Sequence, residues 1–213
     1  MVKLTAEERA RHTRKTLIDI AKRRQRPGSG SARDQYKGAP FVQWPDLTKI
    51  LTGIPWAIVG GVATSRYMPE RFTHDLDIAI ERRDAGEVRA RFDGGGFVFK
   101  ALLSIGGSSW ETPDGTPVDV IEGDEDWWPD ALAEAARLSI EVGGPPVLPL
   151  AYLTMMKTRS GRPQDGADVS RMLARASDAE LDRVRAVIAE RDPELAEDVE
   201  SLIVVGKLEM QER

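Results

Sequence analysis

The sequence predicts an α/β (α+β) protein: a mixed β-sheet core flanked by helices, with a helical C-terminal part and an N-terminal helical extension. Three observations predict it. An apolar run, Trp56–Val59, ends in Gly60-Gly61 and opens into a helical pattern. Residues 75–80 read DLDIAI, and 116–121 read TPVDVI, both of strand type. From Pro149 onward the apolar spacing is helical almost without interruption. These divide the chain into residues 1–45, a basic helix and linker; 46–148, the sheet core; and 149–213, a helical region.

In chain order, Thr5 with Glu8 makes a capping box, so a helix runs from there to about Arg24. Residues 26–40, rich in Gly, Ser and Pro, read as a flexible linker. A short helix is expected over Pro45–Leu51, then a strand at Trp56–Val59 and a helix at Val62–Tyr67 that Pro69 ends. The DLD strand follows, and Asp84 caps a helix to about Phe92. Gly94-Gly95-Gly96 turns the chain into strands Phe97–Leu103 and Ser108–Glu111. The Pro113-Asp114-Gly115 turn leads to strand Val118–Ile121. Trp127 and Trp128 are expected to pack on the sheet rather than stack on a base. Leu138–Val142 and Val147–Leu148 read as a hairpin around Gly143-Gly144. Helices are expected at about 149–158, 163–175, 178–190 and 193–209.

Composition narrows the chemistry. The 213 residues carry 35 acidic and 30 basic side chains, a net charge of −5, which does not describe a general nucleic-acid binder. There is no cysteine, so disulfides and thiolate metal sites are excluded, and the two histidines, His12 and His74, do not make a zinc site. A cytoplasmic setting is expected from the missing cysteines and from a polar N-terminus without a signal-peptide pattern. No apolar run reaches membrane-spanning length. The basic stretch over residues 8–26 reads either as a solvated helix face or as a contact for RNA phosphates or an acidic partner.

Strand periodicity puts Asp75 and Asp77 on one face and Leu76, Ile78 and Ile80 on the other. Asp119 likewise opposes Val118 and Val120. Like carboxylates side by side repel unless a cation lies between them, and hard divalent cations prefer carboxylate oxygens. If the two strands are neighbours, Asp75, Asp77 and Asp119 converge as a metal site for phosphoryl or nucleotidyl transfer. The plainer alternatives are solvent-facing strand acids, and for Gly60-Gly61 a tight strand-to-helix turn.

Gly60-Gly61, a gap of 13 residues, Asp75-x-Asp77 and the later strand Asp119 resemble the nucleotidyltransferase superfamily with the DNA polymerase β-like fold. Within it the chain is most similar to small bacterial AbiEii-type, toxin/antitoxin-associated nucleotidyltransferases. The apolar helix carrying Lys157, the Arg-Pro turn and the following helix with paired Asp165 and Asp168 extend the likeness, which covers about residues 54 to 175. The family often has Ser where this chain has Gly61.

The resemblance implies an enzyme that moves an NMP from an NTP, with Mg²⁺ or Mn²⁺, to an acceptor hydroxyl on a tRNA 3′ end or a protein, releasing pyrophosphate. A toxin of this kind would have a cognate antitoxin. Asp75, Asp77 and Asp119 would be catalytic and hold the metal. Gly60, Gly61, Arg66, Arg71, Thr73 and Lys157 would bind nucleotide, although Lys157 also reads as a snorkelling lysine, and Asp165 as a cap of its own helix or a partner of Lys157 or Arg162. Two alternatives are a small-molecule, aminoglycoside-like transferase and a non-catalytic nucleotide-binding or antitoxin-like protein keeping the fold.

Overall fold

A computed structural model describes residues 5–24, 44–68 and 73–210. The expected linker at 26–40, Pro69 and Arg71 lie outside these residues. The chain forms two compact units. One comprises Gly38–Arg66 and Arg71–Pro149, the other Met1–Lys37, Tyr67–Glu70 and Leu150–Arg213.

The first unit is built on a five-stranded sheet. Its strands are β1 (Trp56–Ile58), β2 (Leu76–Glu81), β3 (Val98–Leu102), β4 (Gly107–Glu111) and β5 (Pro117–Gly123), in the order β1-β2-β5-β4-β3. β2 and β5 run parallel with Asp77 opposite Asp119, and the remaining pairs are antiparallel. The parallel pair needs a long crossover, which α3 (Ala85–Gly94), β3 and β4 supply.

One face of the sheet is largely apolar because of the alternation; Glu122, in register with Ile80 on that face, is buried and paired with Arg89 of α3 at 2.5 Å. Leu76, Ile78, Ile80 and Val118 are fully buried there, each side chain worth about 1.5–3 kcal/mol of transfer energy. Trp110 lies on the same face and meets Phe92 of α3 edge-on, with ring centroids 5.6 Å apart. The opposite face carries Asp77, Ala79 and Glu81. Its Glu81 end is closed by Trp128, against which a Cβ on Gly123 would overlap, and Trp128 Nε1 donates to the Ile80 carbonyl at 2.8 Å. Both tryptophans are buried, as expected for packing residues.

Two expectations are corrected. Residues 138–148 are not a hairpin: α4 (Trp128–Val142) runs through the first half. Trp128, Ala131, Leu132 and Ala135 recur at helical spacing and are all buried. The β-branched Ile140 and Val142, which suggested a strand, are 86% and 62% exposed and do not decide the conformation. Val147 instead makes an isolated parallel bridge to Ile58, with Leu148 N–H donating to the Ile58 carbonyl at 2.9 Å. Pro45–Leu51 is not a helix either. Successive turns, with Leu51 N–H bonded to the Leu47 carbonyl, bury Leu47 and Leu51 and end at Gly53, whose φ is +79°.

The second unit is helical: α1 (Ala6–Arg24), α5 (Leu150–Ser160), α6 (Pro163–Arg175), α7 (Asp178–Arg191) and α8 (Ala196–Met210). The capping box at Thr5 and Glu8 forms as expected. Basic α1 docks on acidic residues of its own unit. Arg11, Arg14 and Lys15 pair with Glu194, Asp198 and Glu197, both sets spaced i, i+3, i+4. Close approach is possible where α1 meets Gly161, since a Cβ there would stand 2.7 Å from the Ala10 carbonyl oxygen. Among the described residues, no helix is long and apolar enough to cross a membrane.

Candidate active site

β1 leads directly into α2 (Gly60–Tyr67), and the turn between them lies beside β2. Val59 N–H donates to the Asp77 carbonyl at 2.9 Å, which fixes the turn against the strand. The helix starts at Gly60 rather than Val62. Gly60 has φ +59°, and a Cβ there would come within 2.5 Å of the Asp77 Cγ. Only glycine therefore fits, for both conformation and space. Thr64 Oγ1 donates to the Gly60 carbonyl at 2.7 Å and ties the first turn of the helix together.

The carboxylates of Asp75, Asp77 and Asp119 converge here. Each is half-buried, and one oxygen from each lies within 4.8 Å of the others. Asp77 and Asp119 are direct neighbours across the parallel pair, while Asp75 stands just before β2 on the same side. The donor set fits a hard divalent cation such as Mg²⁺ or Mn²⁺: it offers carboxylate oxygens only, with neither thiolate nor imidazole among the three.

The remaining expected site residues fall in several places. Thr73 is half-buried next to the acids, and its hydroxyl donates to Asp75 Oδ1. Gly61 is buried, and a Cβ there would stand 2.7 Å from the Thr73 Cβ. Arg66 is exposed in the last turn of α2 and has no ion-pair partner among the described residues. Arg71 lies outside the described residues. Ser109, which the motif reading passed over, sits in register with Asp119 on β4 and continues the acid-bearing row. Its only sequence signal is its place in a strand whose pairing cannot be read without the fold.

Lys157 makes the pairing with Asp165 that the sequence left open beside snorkelling and phosphate binding. Within the helical unit its side chain is 7% exposed, and Nζ donates to Asp165 at 2.7 Å and Asp168 at 3.0 Å. Ser160 Oγ and Arg162 Nε, each at 2.6 Å, complete the shell of Asp165. Burial alone would push the Asp165 carboxyl up. The charge and hydrogen bond of Lys157, with Ser160 and Arg162, outweigh it and hold this carboxyl below its ordinary value.

No protein-family model matches this sequence, and no curated protein sequence matches it. Among solved structures, the chain is similar to two of ANT(2'')-Ia. The solution structure of this antibiotic-resistance factor shares 20% identity at a TM-score of 0.40, covering 76% of this chain and 89% of that one. The crystal structure of ANT(2'')-Ia in complex with adenylyl-2''-tobramycin shares 20% identity at a TM-score of 0.38, covering 76% and 94%. The activity of this chain therefore has to rest on its own residues.

Proposed function

We propose that this protein is a metal-dependent nucleotidyltransferase that moves an NMP from an NTP to an acceptor hydroxyl. The convergence of Asp75, Asp77 and Asp119 beside a glycine whose missing Cβ clears their space carries the reading. An exposed strand acid would need no such clearance.

Asp75, Asp77 and Asp119 would hold the cation, which when bound polarises the α-phosphate and lowers the pKa of an oxygen nucleophile. The N–H groups of Gly60 and Gly61 at the start of α2 receive phosphate oxygens, favoured by the helix dipole. Arg66 adds a guanidinium able to bind phosphate bidentately, and Arg71 is a second candidate. The acceptor oxygen bonds to the α-phosphorus, the bond from that phosphorus to the pyrophosphate oxygen breaks, and Asp119 takes the acceptor proton. Lys157, committed to two carboxylates, is left out of this set.

Suitable acceptors are a tRNA 3′ end, a protein side chain and an aminoglycoside-like small molecule. Transfer from α-labelled NTPs to each, with Mg²⁺ or Mn²⁺, separates them. A tRNA or protein acceptor, with growth arrest relieved by a small cognate antitoxin, would place the protein among toxins. Asp77→Ala should lower transfer by about a hundredfold or more with the fold retained. Normal turnover in that variant would remove the assignment. Cation-dependent NTP binding without transfer to any acceptor would favour the non-catalytic alternative.

A further inference from the structure

We infer that Thr73 is a positioning residue for Asp75, and that Gly60 and Gly61 are each required to leave room for one arm of the Asp75–Asp77 pair. The inference rests on the proposed cation site and deepens it.

The two glycines perform separate steric tasks. A Cβ on Gly60 would run into the Asp77 carboxylate, 2.5 Å from Cγ and 2.8 Å from Cβ. A Cβ on Gly61 would meet Thr73, 2.7 Å from its Cβ and 2.9 Å from Oγ1. Cβ atoms in folded proteins do not approach that closely, so either substitution displaces the residue opposite. Gly61 thus acts on the acids through Thr73. The Thr73 hydroxyl donates to Asp75 Oδ1, leaving Oδ2 for a cation and limiting rotation of the carboxylate. Asp75 needs this support more than its neighbours do. Asp77 and Asp119 stand on paired strands in register, whereas Asp75 precedes the first residue of β2 and has no ladder to hold it.

The same geometry explains why a glycine occupies position 61. A serine there would bring its Cβ into Thr73. The hydroxyl at this corner of the site comes instead from across the gap, and it points at a carboxylate.

The test is Mn²⁺ binding to the full chain without nucleotide, followed by electron paramagnetic resonance of the free ion. Thr73→Val keeps the side-chain shape and removes the hydroxyl. It should weaken Mn²⁺ affinity about tenfold or more, the usual cost of losing a partner that orients a metal ligand. Thr73→Ser should stay within about threefold of the parent, since the donor is restored. Gly61→Ala should weaken affinity as Thr73→Val does, with circular dichroism reporting whether the sheet is retained. Equal affinity of parent and Thr73→Val overturns the inference, as does Thr73→Ser binding as poorly as Thr73→Val. A parent protein that binds no Mn²⁺ brings down the cation site itself, and the inference with it, so the two failures are distinguishable.

Discussion

Lys157 shows how a residue's surroundings select among several readings. On sequence it is one lysine on an otherwise apolar helix, open to snorkelling, to phosphate binding and to pairing with Asp165. Asp165 and Asp168, at i and i+3 on the next helix, are the signal that decides for a structural role, but only once the helices are packed. Removing the lysine takes a buried ammonium from between two buried carboxylates and leaves Asp165 with the exposed Arg162 as its cation. Lys157→Ala should therefore destabilise the helical unit by about 3–5 kcal/mol, measured by urea unfolding; a loss below about 1 kcal/mol would show that water replaces the ammonium. The network also predicts acid sensitivity. A carboxyl whose folded pKa is depressed contributes stability above its unfolded value, ordinarily near 3.8. For Asp165 this contribution is lost as pH falls through the lower, folded value. Unfolding below about pH 4 should be steeper in the parent than in Asp165→Asn. Asp75, Asp77 and Asp119 were more legible than Lys157, because alternation with buried Leu76, Ile78, Val118 and Val120 states their direction outright.

At the scale of elements, helices with a local stop or start signal were readable. The box at Ser177 and Glu180 starts α7, and Pro163 starts α6. α4 carries the β-branched Ile140 and Val142 in its last turn, which is followed by Gly143-Gly144, a local pattern that also suits a hairpin. Its N-terminal half packs against the sheet, and that packing overrides local preference. Basic α1 was open between a solvated face and a partner-binding face. Within its unit it answers the acids of α8 and the segment before it, and the buried member of the row is Arg14. Its Nε lies 2.5 Å from Asp198, with side chains 10% and 6% exposed, and its guanidinium also reaches the Thr158 carbonyl. Arg14→Ala should cost about 3–5 kcal/mol because Asp198 is left buried and unpaired. Lys15→Ala should cost under about 1 kcal/mol, since that pair is exposed and 4.0 Å apart. Chemical denaturation of both variants checks this; equal effects would mean that α1 is held by its apolar residues alone.

For the whole molecule, ligand binding should stabilise the sheet unit where the acids converge. An NTP with Mn²⁺ at about a hundred times its dissociation constant stabilises the native state by about 2.7 kcal/mol. Hydrogen exchange should therefore slow at the start of α2, along β2 and around Asp119 in β5. Unchanged exchange in all three segments under saturating ligand would exclude a site there. The sequence by itself determined the α/β class, the strands that carry the acids, the face each acid takes and the C-terminal helices. These follow from periodicity and local punctuation, which act over a few residues. Only the tertiary structure decided that β2 and β5 are parallel neighbours with Asp77 opposite Asp119, that Lys157 is paired with Asp165 and Asp168, and that α1 packs with the C-terminal helices. The separate duties of Gly60 and Gly61 were decided there as well. Each depends on which residues distant in sequence come within a few ångströms, and local spacing contains no measure of that distance.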